Sequence, residues 1–156
     1  MDLKKSFYVG LDVGNYSTKT SNTTTTSGYK QYAEKPYGAA NILKYDGVYY
    51  VPTLKPLSYL KDKTSNDRCL ILSLLGIAQE ILLAAKNEKD VQAAITDVTD
   101  LYLGVGLPPA HMSSLSENLE NYYIIALLFP FIYDYLNMIF MGLNYCRKSP
   151  FLILLQ

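Results

Sequence analysis

Apolar residues in the first part of the chain fall into short runs that end at turn-forming residues. Residues 7–13 (FYVGLDV) are apolar and β-prone and stop at Gly14-Asn15, so we predict a buried strand there. Residues 17–20 predict the start of a returning strand. The polar stretch 21–28 (SNTTTTSG) is expected to be a hairpin tip or a mobile loop. The chain is therefore expected to begin with an antiparallel strand pair.

The pattern then changes from strands to a long helix. Asp46-Gly47 between two β-prone runs predicts a second hairpin. From residue 68 to residue 86 apolar positions recur every three or four residues, which predicts a largely buried helix. Asp67 or Asn66 can cap its start.

Two further elements follow this helix. Residues 100–105 (DLYLGV) predict another buried strand, which ends at a Gly-Leu-Pro-Pro sequence. Ser114 with Glu117 fits a capping box at the start of a further helix. This order of elements predicts an α/β fold with a mixed sheet flanked by helices.

Charge is spread unevenly and divides the chain in two. The 156 residues carry 14 Lys plus Arg and 14 Asp plus Glu, so the formal net charge is zero, which argues against nucleic-acid binding by bulk basic charge. We expect residues 1–123 to form an α/β domain with a small insertion at about 29–66, and residues 124–156 to be an atypical apolar tail. The charged residues of that tail are three: Asp134, Arg147 and Lys148.

Cysteine and histidine are scarce. Cys69 and Cys146, with the single His111, are too few for a disulfide scaffold or a four-ligand zinc site. We expect Cys69 to be structural, with a pKa lowered by the helix N-terminus as the alternative. His111 is expected to face solvent or bond locally, and residues 61–63 (KDK) to form a solvated loop or a subunit contact. The apolar run before Asp12 is too short for a signal peptide, so a cytoplasmic location is expected.

The segment most informative about chemistry is 10–19 (GLDVGNYSTK). A strand delivers the carboxylate of Asp12 to a turn where Gly14 lets the backbone approach a ligand closely. Amides and hydroxyls after Gly14 can donate to phosphate oxygens, and Lys19 adds a positive charge. Asp12 would repel a phosphate, so it would act through Mg²⁺ and its waters. By residue type alone, a plain β-hairpin with an Asp-x-Gly turn remains open.

This segment, Asp12-x-Gly14-x-x-x-x-Lys19 behind an apolar strand, resembles the first phosphate motif of the actin, hexokinase and Hsp70 superfamily. Three more segments in the family's order narrow the resemblance to ParM/StbA-type bacterial actin-like proteins. They are the hairpin 45–50 (YDGVYY), the stretch 62–80 (DKTSN and the apolar helix after it), and 102–109 (YLGVGLPP) with the helix leading to Tyr122-Tyr123. The resemblance covers roughly residues 7–123.

The resemblance implies an incomplete actin-like (ribonuclease H-like) subdomain of a protein that binds ATP or GTP with Mg²⁺, and we expect this binding to be weak or absent in the chain alone. Asp12 would hold the metal through its waters and Lys19 would reach a phosphate. The turn between them would cradle the phosphates, and it consists of Gly14, Asn15, Tyr16 and Ser17. The parent protein would self-associate into filaments that push plasmid copies apart, through a DNA-bound adaptor and without direct contact to nucleic acid. A membrane partner is not expected.

The sequence departs from the family after this region. The second phosphate loop (D-x-G-G-x-T) and the adenosine pocket are not found, and hydrolysis needs groups from both lobes. We therefore expect this chain to be the N-terminal part of such a protein, inactive alone. Relatives place a water-orienting glutamine after a proline at the end of an apolar run. Here Leu155 replaces that proline, and Gln156 is a candidate for the catalytic role, with an ordinary polar residue as the alternative.

Residues 124–156 leave three explanations open. A shifted reading frame or truncation agrees with the excess of Lys over Arg, which is typical of AT-rich coding. Divergent strands are the second explanation. A membrane segment at 124–145 is the third, although Asp134 would cost about 2.5–3.5 kcal/mol at the membrane centre. Two alternative functions accordingly remain: a non-enzymatic module that caps or regulates a full-length relative's filament, and a small membrane-anchored protein.

Overall fold

Two β-sheets and one long helix make up the described molecule, so the α/β class is confirmed. A computed structural model describes residues 6–39, 41–86, 100–106, 117–119, 121–123 and 153–155. The elements in chain order are β1 Ser6–Val13, β2 Ser17–Thr20, β3 Thr24–Thr26, β4 Tyr29–Tyr32, β5 Leu43–Tyr45, β6 Val48–Pro52, α1 Arg68–Ala85, β7 Asp100–Val105 and β8 Ile153–Leu155. Residues 117–119 and 121–123 are also helical.

The larger sheet has five strands in the order β3-β2-β1-β7-β8. Strands β1, β2 and β3 pair antiparallel, whereas β1 with β7 and β7 with β8 pair parallel, so the predicted mixed sheet is confirmed. Side chains of β1 alternate between the two faces because the period of a strand is two. One face of β1 lies in the core through Phe7, Val9, Leu11 and Val13.

The other face of this sheet, here called the outer face, is more exposed. Tyr8 is 62% exposed and its ring stacks on that of Tyr102, with the centroids 4.6 Å apart. Next along the strands, Gly10 pairs with Gly104. Because neither glycine has a side chain, the outer face has a depression at this pair.

Helix α1 packs on the opposite face of the sheet, and the predicted buried helix is confirmed. Its start is stabilised from two places. The side chain of Asp67 makes no capping bond, whereas Oδ1 of Asn66 accepts a bond of 3.0 Å from the Arg68 amide. The hydroxyl of Tyr122 accepts a bond of 3.0 Å from the Leu70 amide and donates one of 2.9 Å to the Asn66 carbonyl. A tyrosine distant in sequence therefore caps this helix.

The composition of α1 raises the question of a membrane. Among the described residues, α1 is the helix that is long and apolar enough to cross a membrane. However, 72% of this helix is buried inside the molecule. That burial is typical of a core helix. The segment 124–145, for which a membrane location was considered, lies outside the described residues.

The smaller sheet has three antiparallel strands in the order β4-β6-β5. The predicted hairpin at Asp46-Gly47 is confirmed, with φ of 46° and 74° at the two residues, as a type I′ turn requires. Leu43 and Tyr50 of this sheet are buried in the same core cluster as β1 and α1. The region expected to be a small insertion therefore shares the core of the main sheet.

Three local predictions need correction or remain untested. The stretch 21–28 contains strand β3 and is more than a hairpin tip, and β4 was not predicted. Of the loop 61–63, Lys61 and Asp62 are exposed as expected, but Lys63 is half-buried. Within the tail, 153–155 forms β8. Predictions on Cys146, His111, Ser114, Gln156 and the sequence Leu-Pro-Pro at 107–109 lie outside the described residues.

Candidate functional site

An open cleft of about 490 Å³ lies on the outer face at the carboxyl ends of β1 and β7. Ligands of open α/β sheets commonly bind at such strand ends, because neighbouring parallel strands leave a crevice there. The cleft includes two of the predicted site residues, Asp12 and Lys19. Its lining consists of Gly10, Leu11, Asp12, Lys19, Thr20, Ser21, Gly104, Val105 and Gly106.

Asp12 and Lys19 are partners across the β1–β2 pair. They are directly opposite in the antiparallel register, and both side chains are exposed. Residues opposite each other on antiparallel strands have Cβ atoms about 4.5–5.5 Å apart, so the carboxylate and the ammonium project side by side. The site therefore offers one negative and one positive group at its mouth.

Glycines form the floor of the cleft. Gly10 and Gly104 lie side by side, and the Gly106 amide donates to the Leu11 carbonyl at 2.9 Å. The Gly10 amide donates to Oγ of Ser21 at 2.9 Å, which brings that hydroxyl to the cleft wall. Gly104 and Ser21 were not predicted as site residues. The parallel pairing of β1 with β7 brings Gly104 beside Gly10, and the β1–β2 hairpin brings Ser21 there.

The turn between β1 and β2 is tight. The Gly14 amide donates to the Ser17 carbonyl at 2.9 Å, and a Cβ at Gly14 would lie 2.7 Å from that oxygen. A side chain is therefore excluded at this position. Among the hydrogen bonds of the described residues, none uses the amides of Asn15 and Tyr16. These two amides are the donors that the turn offers to a ligand.

The side chains of the turn point elsewhere. Oδ1 of Asn15 accepts a bond of 2.8 Å from the Leu60 amide, and Tyr16 is 76% exposed. Asn15, Tyr16 and Ser17 do not line the cleft. The structure thus brings Asp12 and Lys19 together with the glycine floor, but it does not bring the three turn side chains to the same place.

The buried carboxylate of Glu80 holds the connection between β2 and β3 from the side of the sheet on which α1 packs. Glu80 of α1 is 2% exposed and accepts bonds from the Thr20 hydroxyl and from both the backbone and side-chain amides of Asn22. These bonds tie the end of β2 to the helix and hold Ser21 between them. Sequence reasoning used Glu80 only as part of a resemblance and did not predict this contact.

Cys69 lies on the opposite side of the sheet, in a buried polar cluster. Its sulfur lies 3.3 Å from the hydroxyl of Tyr123, which in turn lies 2.7 Å from the Ser73 hydroxyl. Burial raises the pKa of the Cys69 thiol, although the hydrogen bond to Tyr123 opposes the effect. The structural role expected for Cys69 is confirmed, and the alternative of a lowered pKa is wrong. The described residues contain no group of three metal-ligating side chains.

Comparisons of the chain with models of known families, with curated proteins and with solved structures found no match.

Proposed function

We propose that this chain is the N-terminal part of an actin-like, nucleotide-dependent protein that forms filaments for plasmid partitioning. In this proposal the cleft at Asp12 and Lys19 takes the Mg²⁺-bound phosphates of ATP or GTP. The observation that carries the proposal is the placement of Asp12 directly opposite Lys19 beside a floor without side chains. The Lys19 ammonium can pair with the negative charge of a phosphate chain, and the Asp12 carboxylate can bind the waters of a hydrated Mg²⁺.

The residues present fit a magnesium nucleotide in three respects. The carboxylate of Asp12 is exposed and can accept hydrogen bonds from waters on Mg²⁺. The ammonium of Lys19 is exposed on the same face and can pair with phosphate oxygens. The amides of Asn15 and Tyr16 can donate to an oxygen at the turn. When bound, the metal would neutralise phosphate charge, which would otherwise repel Asp12.

The resemblance implies that Asn15 belongs to the phosphate turn. In this proposal Asn15 binds phosphate through its backbone only. Its side chain is already bonded to the Leu60 amide, so only its backbone amide is offered to a phosphate. Tyr16 likewise contributes through its backbone amide, whereas the Ser17 carbonyl is already bonded to the Gly14 amide.

The first prediction concerns the charge pair. Binding of ATP and of GTP to the full chain is measured by calorimetry with Mg²⁺ and with EDTA. We expect Lys19→Met to weaken binding about 10–100-fold, because it removes a charge-assisted bond worth roughly 1.5–3 kcal/mol. Asp12→Asn is expected to weaken binding only when Mg²⁺ is present, since Asp12 acts through the ion.

The matched control is Lys30→Met, which removes an exposed lysine from β4. It should leave binding unchanged, apart from a small loss of long-range attraction at low salt. Absence of nucleotide binding by the unaltered chain, or equal effects of Lys19→Met and Lys30→Met, would contradict the proposal.

The filament role is tested separately. The chain is mixed with MgATP or MgGTP, alone and with a full-length filament of the actin-like type, and then sedimented. Nucleotide binding together with sedimentation supports the proposed role. Sedimentation with the full-length filament in the absence of nucleotide binding would instead favour the capping module.

A further inference from the structure

The turn between β1 and β2 is held from behind by residues far away in sequence. The Val13 carbonyl accepts a bond from Nζ of Lys63, and the Gly14 carbonyl accepts one of 2.7 Å from Oγ of Ser27. Oδ1 of Asn15 accepts one of 2.8 Å from the Leu60 amide. Val13 and Asn15 are therefore bonded from the same distant segment, and Gly14 is bonded from a different one.

These bonds surround a small cavity of about 10 Å³ on the side away from the cleft. Its lining includes all six bonded residues just described, together with residues from the start of α1. The cavity has room for about one water molecule. The turn is thus backed on this side by the chain around Leu60 and by α1.

Lys63 is the unusual member of this set. Lys61, two residues earlier, is exposed, whereas Lys63 is half-buried and its ammonium is bonded to a backbone carbonyl. Withdrawing an ammonium partly from water is unfavourable unless its hydrogen bonds are replaced. The carbonyl it bonds belongs to the peptide between Asp12 and the turn. Lys63 therefore contacts the backbone at the point where β1 enters the turn.

We infer that Lys63 is a positioning residue for the phosphate site, and that the segment 57–63 and the turn are conformationally coupled through Lys63 and Asn15. The inference rests on the proposed function, because the site that Lys63 positions is the proposed magnesium-nucleotide site. Lys63 itself does not line the cleft. Coupling is reciprocal, so a ligand at the turn also protects the segment 57–63.

The test is amide hydrogen exchange by NMR on the ligand-free full chain. Lys63→Met is expected to shift the resonances of residues 14–17 and to speed exchange of the Leu60 amide at least tenfold, with exchange in the middle of α1 unchanged. Lys63→Arg keeps a donor and should restore slow exchange. Lys61→Met is the matched control and should resemble the unaltered chain.

Three results would overturn the inference. They are identical turn spectra for Lys63→Met and Lys61→Met, faster exchange spread evenly over α1, and failure of Lys63→Arg to differ from Lys63→Met. If Lys63→Met does not fold, Asn15→Ala removes the other link, and unchanged exchange at Leu60 in that variant would equally overturn it.

The same samples separate this inference from the proposed function. Addition of MgATP is expected to slow exchange at Leu60 in the unaltered chain and less so in Lys63→Met. An unaltered chain that binds neither MgATP nor MgGTP would contradict the proposed function, whereas the ligand-free exchange result decides the positioning role independently.

Discussion

At the scale of single residues, Gly28 is, among the glycines that the structure describes, the one that other backbone approaches most closely. Its carbonyl accepts a bond of 2.9 Å from the Thr53 amide, where the main sheet passes into the smaller one. A Cβ on Gly28 would lie 2.0 Å from the Lys55 carbonyl oxygen and 2.7 Å from the Thr53 hydroxyl. The Lys55 oxygen belongs to backbone and cannot rotate away.

We therefore predict that Gly28→Ala lowers the free energy of unfolding by about 1–3 kcal/mol or more, as overpacking does. Urea unfolding followed by circular dichroism measures this change. The matched control is Gly10→Ala, whose Cβ would meet only the Ser21 hydroxyl at 3.4 Å. Equal stability of the two variants would show that the contact at residue 28 relaxes without cost.

At the scale of elements, the first turn of α1 is docked against two neighbouring tyrosines. Tyr122 caps the helix, and Tyr123, which is 1% exposed, lies beside Cys69 and Ser73. Burial is the main cause that raises the pKa values of both phenols and of the Cys69 thiol. These groups therefore stay protonated in the folded chain at a pH where the unfolded chain ionises.

The sign of the pH dependence follows from this difference. The ordinary pKa is 9.0 for the thiol and 10.0 for the phenols, so the unfolded chain binds fewer protons above about pH 9. We predict that stability is intact below pH 9 and falls above it, by up to about 1.4 kcal/mol per pH unit for each group once the pH exceeds the ordinary pKa of that group. Urea unfolding at pH 8, 9.5 and 11 measures the slope.

Variants identify the groups responsible for this slope. Cys69→Ala and Tyr123→Phe should each reduce it, while Tyr37→Phe alters a fully exposed ring and should not. A slope unchanged in Tyr123→Phe would contradict the assignment to this cluster.

Elements with a regular pattern were predictable from the sequence. Strands β1 and β7 are apolar runs, α1 has an apolar stripe, and Asp46-Gly47 has the residues that a type I′ turn needs. Strand β3 was missed because a run of threonines has no alternation of apolar and polar residues. Strand β4 was missed because three of its four residues are exposed, so its sequence has no regular alternation of apolar and polar residues.

The candidate site was predictable only in part, for a related reason. The pair Asp12 and Lys19 follows from one hairpin, so local sequence was sufficient. The contacts of Asn15 with Leu60, of Lys63 with Val13 and of Tyr122 with Leu70 join distant segments. A local sequence pattern does not indicate which distant segments will be in contact in the folded chain.

At the scale of the whole molecule, the two sheets share one core. Leu43 of the smaller sheet is fully buried in the same cluster as Phe7 of β1 and Leu74 of α1. No separate core is described for the smaller sheet. The two sheets should therefore unfold together, as single domains of this size usually do.

We predict that Leu43→Ala lowers the free energy of unfolding of the entire chain by about 2–5 kcal/mol. Tyrosine fluorescence and circular dichroism should report one shared transition. The matched control is Leu54→Ala, because Leu54 is 96% exposed and its truncation should change stability by no more than about 0.5 kcal/mol. A separate early transition in Leu43→Ala would contradict a common core.

The parallel pairing of β1 with β7 has a consequence for how the chain is made. Phe7 lies opposite Leu101 in that register, so β1 lacks this neighbour while the residues between the two strands are still being synthesised. At roughly 5–20 residues per second, the delay is on the order of 5–20 s. During this time β1 can pair with β2 but not with β7, and its apolar face has no helix against it until α1 has been synthesised. The newborn chain should therefore be a client of chaperones that bind extended apolar segments.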